Sequence, residues 1–213
     1  MGYILGLMPQ LLEACIVTLE VFIIVLILSI PLGVAVALGR KSKVAIIRKI
    51  LELYVLIMRG TPLLLQIVII FFGLPIAGIT FDRFTAGIIA FTLNYTAYFG
   101  EIFRSGINSI DEGQYEGSEV LGLTPSNTFF RIILPQAIKR VIPPVANEIT
   151  TLLKDTSLVY VLGLDELLKI AKMASNRDVT LVPLLLAAVI YLVIIGILSK
   201  VLQNIEKKYE YYS

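Results

Sequence analysis

Four stretches of this chain, residues 21–38, 60–81, 84–100 and 179–199, contain no Asp, Glu, Lys or Arg. A bilayer-spanning helix needs about 20 mainly apolar residues. Within lipid a helix is one of the few structures that satisfies its own backbone hydrogen bonds. A soluble domain of 213 residues holding four such windows would keep too little polar surface to face water. Hydrophobic residues make up 57% of the chain and charged residues only 16%, with the charges gathered between the windows. The pattern predicts an all-α integral membrane protein forming a single domain, 1–213. About five transmembrane helices are expected, at 10–39, 45–73, 83–108, 127–153 and 180–203. The fourth carries Arg131, Lys139, Arg140, Glu148 and the pair Pro143-Pro144, and reads as broken or only partly lipid-facing.

The basic residues suggest an orientation. Arg40, Lys41, Lys43, Arg48 and Lys49 crowd the first connection, Arg104, Arg131, Lys139 and Arg140 flank the central loop, and Lys200, Lys207 and Lys208 lie near the end. Because cytoplasmic loops are enriched in Lys and Arg, the N-terminus is expected outside and the C-terminus in the cytoplasm. Lys154, Lys169, Lys172 and Arg177 then fall outside, against the rule, around a short surface helix beginning near Asp165-Glu166. The first ten residues hold no Lys or Arg, so the first helix is expected to be retained rather than cleaved as a signal. Tyr209, Tyr211 and Tyr212, beside Lys207 and Lys208, read as an interfacial anchor. A single Cys15 excludes a disulfide within the chain, and the absence of histidine removes the commonest metal ligand, so no metal site is expected.

The polar segment 109–126 carries helix punctuation. Asp111 can cap a short helix with Gln114 reaching back, Gly122 suits the left-handed residue that ends it, and Thr124-Pro125 opens the next helix. The order Glu116-Gly117-Ser118, then Gly122, then Ile133-Leu134-Pro135 resembles the EAA loop of bacterial ABC importer permeases, with Gly-Ser in place of Ala-Ala. Arg59-Gly60-Thr61-Pro62, Ala97 to Arg104 and Asn147 to Leu158 look like the polar amino-acid subfamily, whose members carry histidine, arginine, lysine, glutamine or glutamate. The resemblance covers most of residues 10–205.

That resemblance implies a type I ABC importer permease fold with a cytoplasmic coupling helix. It implies a multi-pass subunit of the bacterial inner membrane that forms the path of an ATP-driven importer of polar or basic amino acids by alternating access. Its partners would be ABC ATPase subunits, a second permease subunit (a copy or a close relative), an extracytoplasmic amino-acid-binding protein and membrane lipid, with no nucleic acid. Tyr115, Glu116, Gly117, Ser118, Gly122 and Leu123 would couple to the ATPase. The chain has no phosphate loop of the form G-x-x-x-x-G-K-[ST], so it is expected to be no enzyme and to hold no cofactor, with ATP and magnesium on the partner.

Polar groups within spans are costly and point to function. Asn94, Tyr98, Glu101 and Ser105 share one helix face; Glu148, Thr151 and Asp155 share another, and Arg59 and Gln66 a third. Asn94, Tyr98, Glu101, Arg59, Gln66, Glu148, Thr151 and Asp155 are therefore the candidate substrate-binding residues, able to meet the ammonium and carboxylate of an amino acid. Glu101 and Arg104 could instead pair with each other, and Lys154 and Asp155 could form an external gate or a fold lock. Counting Glu101, Glu148 and Asp155 against Arg59 and Lys154, the acids exceed the bases, which favours a cationic substrate. An ion-coupled secondary transporter or channel, with Glu101 and Arg104 as a relay, is the alternative. A membrane scaffold would explain the loop but not the polar faces.

Overall fold

The computed structural model describes residues 2–210, so Tyr211 and Tyr212 of the expected anchor lie outside it. Among the described residues there is no strand. The first apolar window lies in α1 (Gly2–Gly39), and the last in α9 (Val182–Glu210). Both are long and apolar enough to cross a membrane. At 38 residues α1 spans about 57 Å, well beyond the hydrocarbon thickness, so one end must project from it.

The second expected span, 45–73, is not one rod. Helices α2 (Ala45–Gly60) and α3 (Leu63–Val68) belong to a pair bent by 107°. Thr61 and Pro62 are extended at the bend, where proline offers no N–H to continue the helical ladder. Beyond α3 the chain widens into a π-helical turn, Ile69–Gly73, and tightens at Leu74–Ala77 before Gly78 ends it at φ 82°.

Asp82 opens α4 (Arg83–Asn108) by accepting from the N–H groups of Phe84 and Thr85. α5 (Glu112–Val120) and a single turn, α6 (Pro125–Asn127), follow. α7 (Leu134–Asp155) runs unbroken through Pro143 and Pro144, contrary to the expected break. The irregularity lies about three turns earlier, in the π-helical residues Thr128–Ile133, where Pro135 withholds a donor from the preceding turn. α4 and α7 have the length of a span but are too polar to qualify by apolarity alone. α8 (Leu167–Asp178) connects α7 to α9. Its N-cap, Glu166, is not a surface residue: it is fully buried, accepting from Leu168 and Lys169 N–H at 2.7 and 2.6 Å.

The core forms where α1, α3, α4 and α7 meet: Val21 and Val25, Ile67, Phe91, Tyr95 and Phe99, then Leu152 and Leu153. Small residues let α1 and α4 approach closely. A Cβ on Gly33 would lie 2.7 Å from the Cβ of Phe99 and 3.1 Å from the backbone nitrogen of Gly100. Such glycine contacts are the usual device for packing helices inside a bilayer. The packing sets a polar face of α4 toward α7, and the site lies there.

Candidate functional site

A cavity of 740 Å³ opens between α2, α4 and α7. Arg59 from the end of α2, Tyr98, Glu101 and Ser105 from α4, and Asn147 and Glu148 from α7 line it, with Arg140 and Ser109 at one end. Of the eight expected substrate residues, the fold therefore brings Arg59, Tyr98, Glu101 and Glu148 to one space.

Their states differ. Glu101 is a hub: Arg104 donates to it from Nη2 at 2.5 Å and from Nε at 3.1 Å, and Arg40 donates from the end of α1. Arg59 is held more loosely, 3.9 Å from Glu101, with its guanidinium 5.3 Å from the centre of the Tyr98 ring. Glu148, half-buried, has no hydrogen bond or ion pair among the described residues. Glu101 and Arg104 pair as the plainer reading allowed. Arg40, by contrast, lies 61 positions from Glu101, and its place in a basic connection gives no local sign of this contact.

The remaining four make local bonds instead of lining the cavity. The Gln66 amide donates to Met58 O at 3.0 Å, Thr61 O at 3.2 Å and Thr61 Oγ1 at 2.8 Å. Asn94 donates to Met58 O and to Gln66 Oε1, both at 3.0 Å. Together they occupy the backbone groups exposed by the α2–α3 bend. Thr151 bonds back to Asn147 O at 3.0 Å. Asp155 accepts from Tyr95 Oη at 2.7 Å, a bond between α7 and α4 that does not involve Lys154.

The expected excess of acid is absent from the cavity wall. Arg59 and Arg140 stand against Glu101 and Glu148, Asp155 is turned to Tyr95, and Lys154 lines a separate groove beside α9. The lining is balanced, as a zwitterion requires.

The second candidate surface is α5. Asp111 Oδ1 accepts from Gly113 N–H at 2.8 Å, but the capping box does not close, because the Gln114 side chain bonds Gln136 at 3.2 Å instead. At the other end Leu123 N–H reaches Ser118 O at 3.0 Å and Gly122 N–H reaches Glu119 O at 2.9 Å. With Gly122 at φ 71° this is a Schellman motif. Thr124 Oγ1 then accepts from Asn127 N–H at 3.3 Å. Ser118 is the buried residue of α5, fixed by its hydroxyl to Gln114 O at 2.6 Å, while Tyr115, Glu116 and Gly117 are exposed and Leu123 is half-buried. Val120 and Leu121 are 87% and 77% exposed, apolar groups left open on a short, well-capped helix.

Known proteins match this arrangement. The arginine transport system permease ArtQ of Bacillus subtilis is 37% identical over 202 residues, 94% of this chain and 92% of the relative. A Rickettsia typhi protein, GlnP, whose name assigns it to glutamine transport, is 37% identical over 211 residues, 97% of each chain. A crystal structure of an amino acid ABC transporter with histidines superposes with a TM-score of 0.91 at 32% identity, covering 97% of each chain. The fold is thus that of a type I ABC importer permease. Residues 29–211 match the family described as the binding-protein-dependent transport system inner membrane component, and the chain belongs to that family.

Proposed function

We propose that this chain is one of two permease subunits of an ATP-driven importer of polar amino acids, with its N-terminus outside the membrane and its C-terminus in the cytoplasm. It forms the translocation path and is not an enzyme, ATP being hydrolysed on a separate ATPase subunit. An external amino-acid-binding protein delivers the substrate. Nucleotide-driven closure of the ATPases moves α5, through Tyr115, Glu116, Gly117, Ser118, Gly122 and Leu123, and rocks the helices between outward- and inward-open states.

One observation carries the substrate assignment: Arg59 and Glu148 line the same cavity, and among the described residues Glu148 makes no hydrogen bond or close ion pair. Glu148 would take the α-ammonium and Arg59 the α-carboxylate, both as charge-assisted hydrogen bonds. A space of 740 Å³ suits an amino acid with room for its side chain. Two relatives of equal similarity are named for arginine and for glutamine. That supports a site reading the head group these amino acids share.

Uptake of labelled arginine and glutamine into proteoliposomes holding the complete importer tests the reading. ATP-dependent uptake is expected, with KM raised about tenfold or more in Glu148→Gln and a Tm that does not fall, since one charge-assisted contact is worth roughly 1.5–3 kcal/mol. Uptake without ATP would favour the secondary transporter. Unaltered KM in Glu148→Gln would remove the site.

A further inference from the structure

α4 ends without a cation of its own. Its last turn holds no basic residue, and the carbonyls left open there carry the negative end of the helix dipole. A cation from another helix completes that end. Arg140 of α7 donates from Nη1 to the carbonyl of Ser109, the C-cap residue of α4. Ser109 stands just before Asp111, the N-cap of α5. One turn earlier on α7, Gln136 donates from Nε2 to Gln114 Oε1 in the first turn of α5 at 3.2 Å, and to Ile132 O of its own helix at 2.8 Å. α7 thus holds α5 both at its entry and in its first turn.

The same stretch of α7 is packed hard against the end of α4. A Cβ on Gly106 would overlap Val141 Cγ1. Ile107 and Ile110 pack with Ile133 and Ala137 in a cluster of their own. Close-packed helix ends shift as a body rather than deform. Arg140 also reaches the cavity: with Pro144, Asn147 and Glu148 it lines the wall along α7. From Gln136 to Glu148 the rise is about 18 Å, and α7 is unbroken over that distance. One helix therefore joins α5 to the carboxylate at the cavity with no loop between them.

We infer that Arg140, assisted by Gln136, is the positioning residue that carries a displacement of α5 into α7 and so to Glu148. The inference rests on the proposed function, in which the ATPase moves α5. A charge-assisted bond to the chain entering α5 ties the two helices directionally, which apolar contact does not. Without it α5 shifts while α7 lags, and nucleotide is hydrolysed without turning the cavity.

The test measures ATP hydrolysed per amino acid imported, in proteoliposomes holding the complete importer, its external binding protein and labelled arginine or glutamine. Arg140→Ala is expected to raise that ratio about fivefold or more, the scale of a lost coupling between two sites. The kcat for uptake should fall by more than KM changes. Arg140→Lys keeps a cation and should recover most of the loss. Gln136→Ala removes one neutral bond and should shift the ratio the same way by less; it carries the test if Arg140→Ala yields no folded permease. A wild-type ratio in Arg140→Ala, with uptake lowered only as far as folded protein is lost, would overturn the proposal, the residue then being structural. A raised KM at unchanged kcat would overturn it as well, because Arg140 would then meet the substrate itself. Absence of ATP-driven uptake in the wild type is a separate failure, which would remove the transport reading and this inference with it.

Discussion

Gly122→Asp separates docking from folding. Gly122 sits at φ 71° as the left-handed residue of the Schellman motif, and a Cβ built there has no heavy atom within 4 Å. The cost to the permease itself is therefore conformational rather than steric. A residue with a Cβ in the left-handed region costs about 1–2 kcal/mol, and Asp is among the side chains that tolerate it best. A negative charge at a helix C-terminus adds roughly 0.3–1 kcal/mol. At this chain length the total corresponds to a fall in Tm of about 3–10 °C. That leaves a folded protein in detergent. A partner seated on α5 would meet a new charged side chain in space that is now empty, beside Val120 and Leu121. ATP-driven uptake in proteoliposomes is expected to fall by about tenfold or more, the loss anticipated when an unpaired charge is buried at an interface. Gly122→Asn, which keeps the left-handed geometry without the charge, should fall less. Uptake by Gly122→Asp at the wild-type rate would refute the docking role. A loss of uptake no larger than the loss of folded permease would refute it equally.

Glu101→Gln leaves Arg40 and Arg104 without their shared carboxylate and should destabilise the chain by about 3 kcal/mol; a lower Tm in the absence of any substrate checks this. Tyr95→Phe strands the half-buried carboxylate of Asp155 and should cost about 1–3 kcal/mol, again read as Tm, with an unchanged KM for substrate. Gly33→Ala forces a methyl against Phe99 and the Gly100 backbone, a clash of about 1–3 kcal/mol that outweighs the helix propensity gained. Gly196 has nothing within 4 Å, so Gly196→Ala receives only the gain, about 1 kcal/mol. The order of Tm should be Gly196→Ala, wild type, Gly33→Ala.

What could be read from the residues was local. Asp111, Gly122, Thr124 and Pro125 act within a few positions of themselves, and all four caps and stops stand where their chemistry puts them. The capping box failed because Gln114 had a competitor, Gln136, on another helix. The α2–α3 bend was visible as Pro62, but its angle depends on Gln66 and Asn94 filling the opened backbone groups, and Asn94 lies 36 positions from Met58. Polar residues within spans stand out in the sequence by their cost in lipid. Residue type alone could not distinguish a side chain that closes a bend, as Gln66 does, from one that faces a cavity, as Tyr98 does.

The two glutamates show what that distinction means for transport. A ligand moves a two-state carrier only by its difference in affinity for the two states. Glu101 already holds two arginines, so a substrate ammonium arriving there must displace hydrogen bonds as strong as those it makes, with little net gain. Glu148 makes no hydrogen bond or close ion pair among the described residues, and the cost of burying its charge is already part of the empty state. An ammonium at Glu148 removes that cost, and a carboxylate at Arg59 replaces a 3.9 Å ion pair with a direct one. Under the proposed function, the substrate's head group would thus stabilise whichever state brings Arg59 and Glu148 to the spacing of an amino acid. Glu101, held by Arg40 of α1 and Arg104 of α4, would then serve to tie the two helices that flank the cavity rather than to meet substrate.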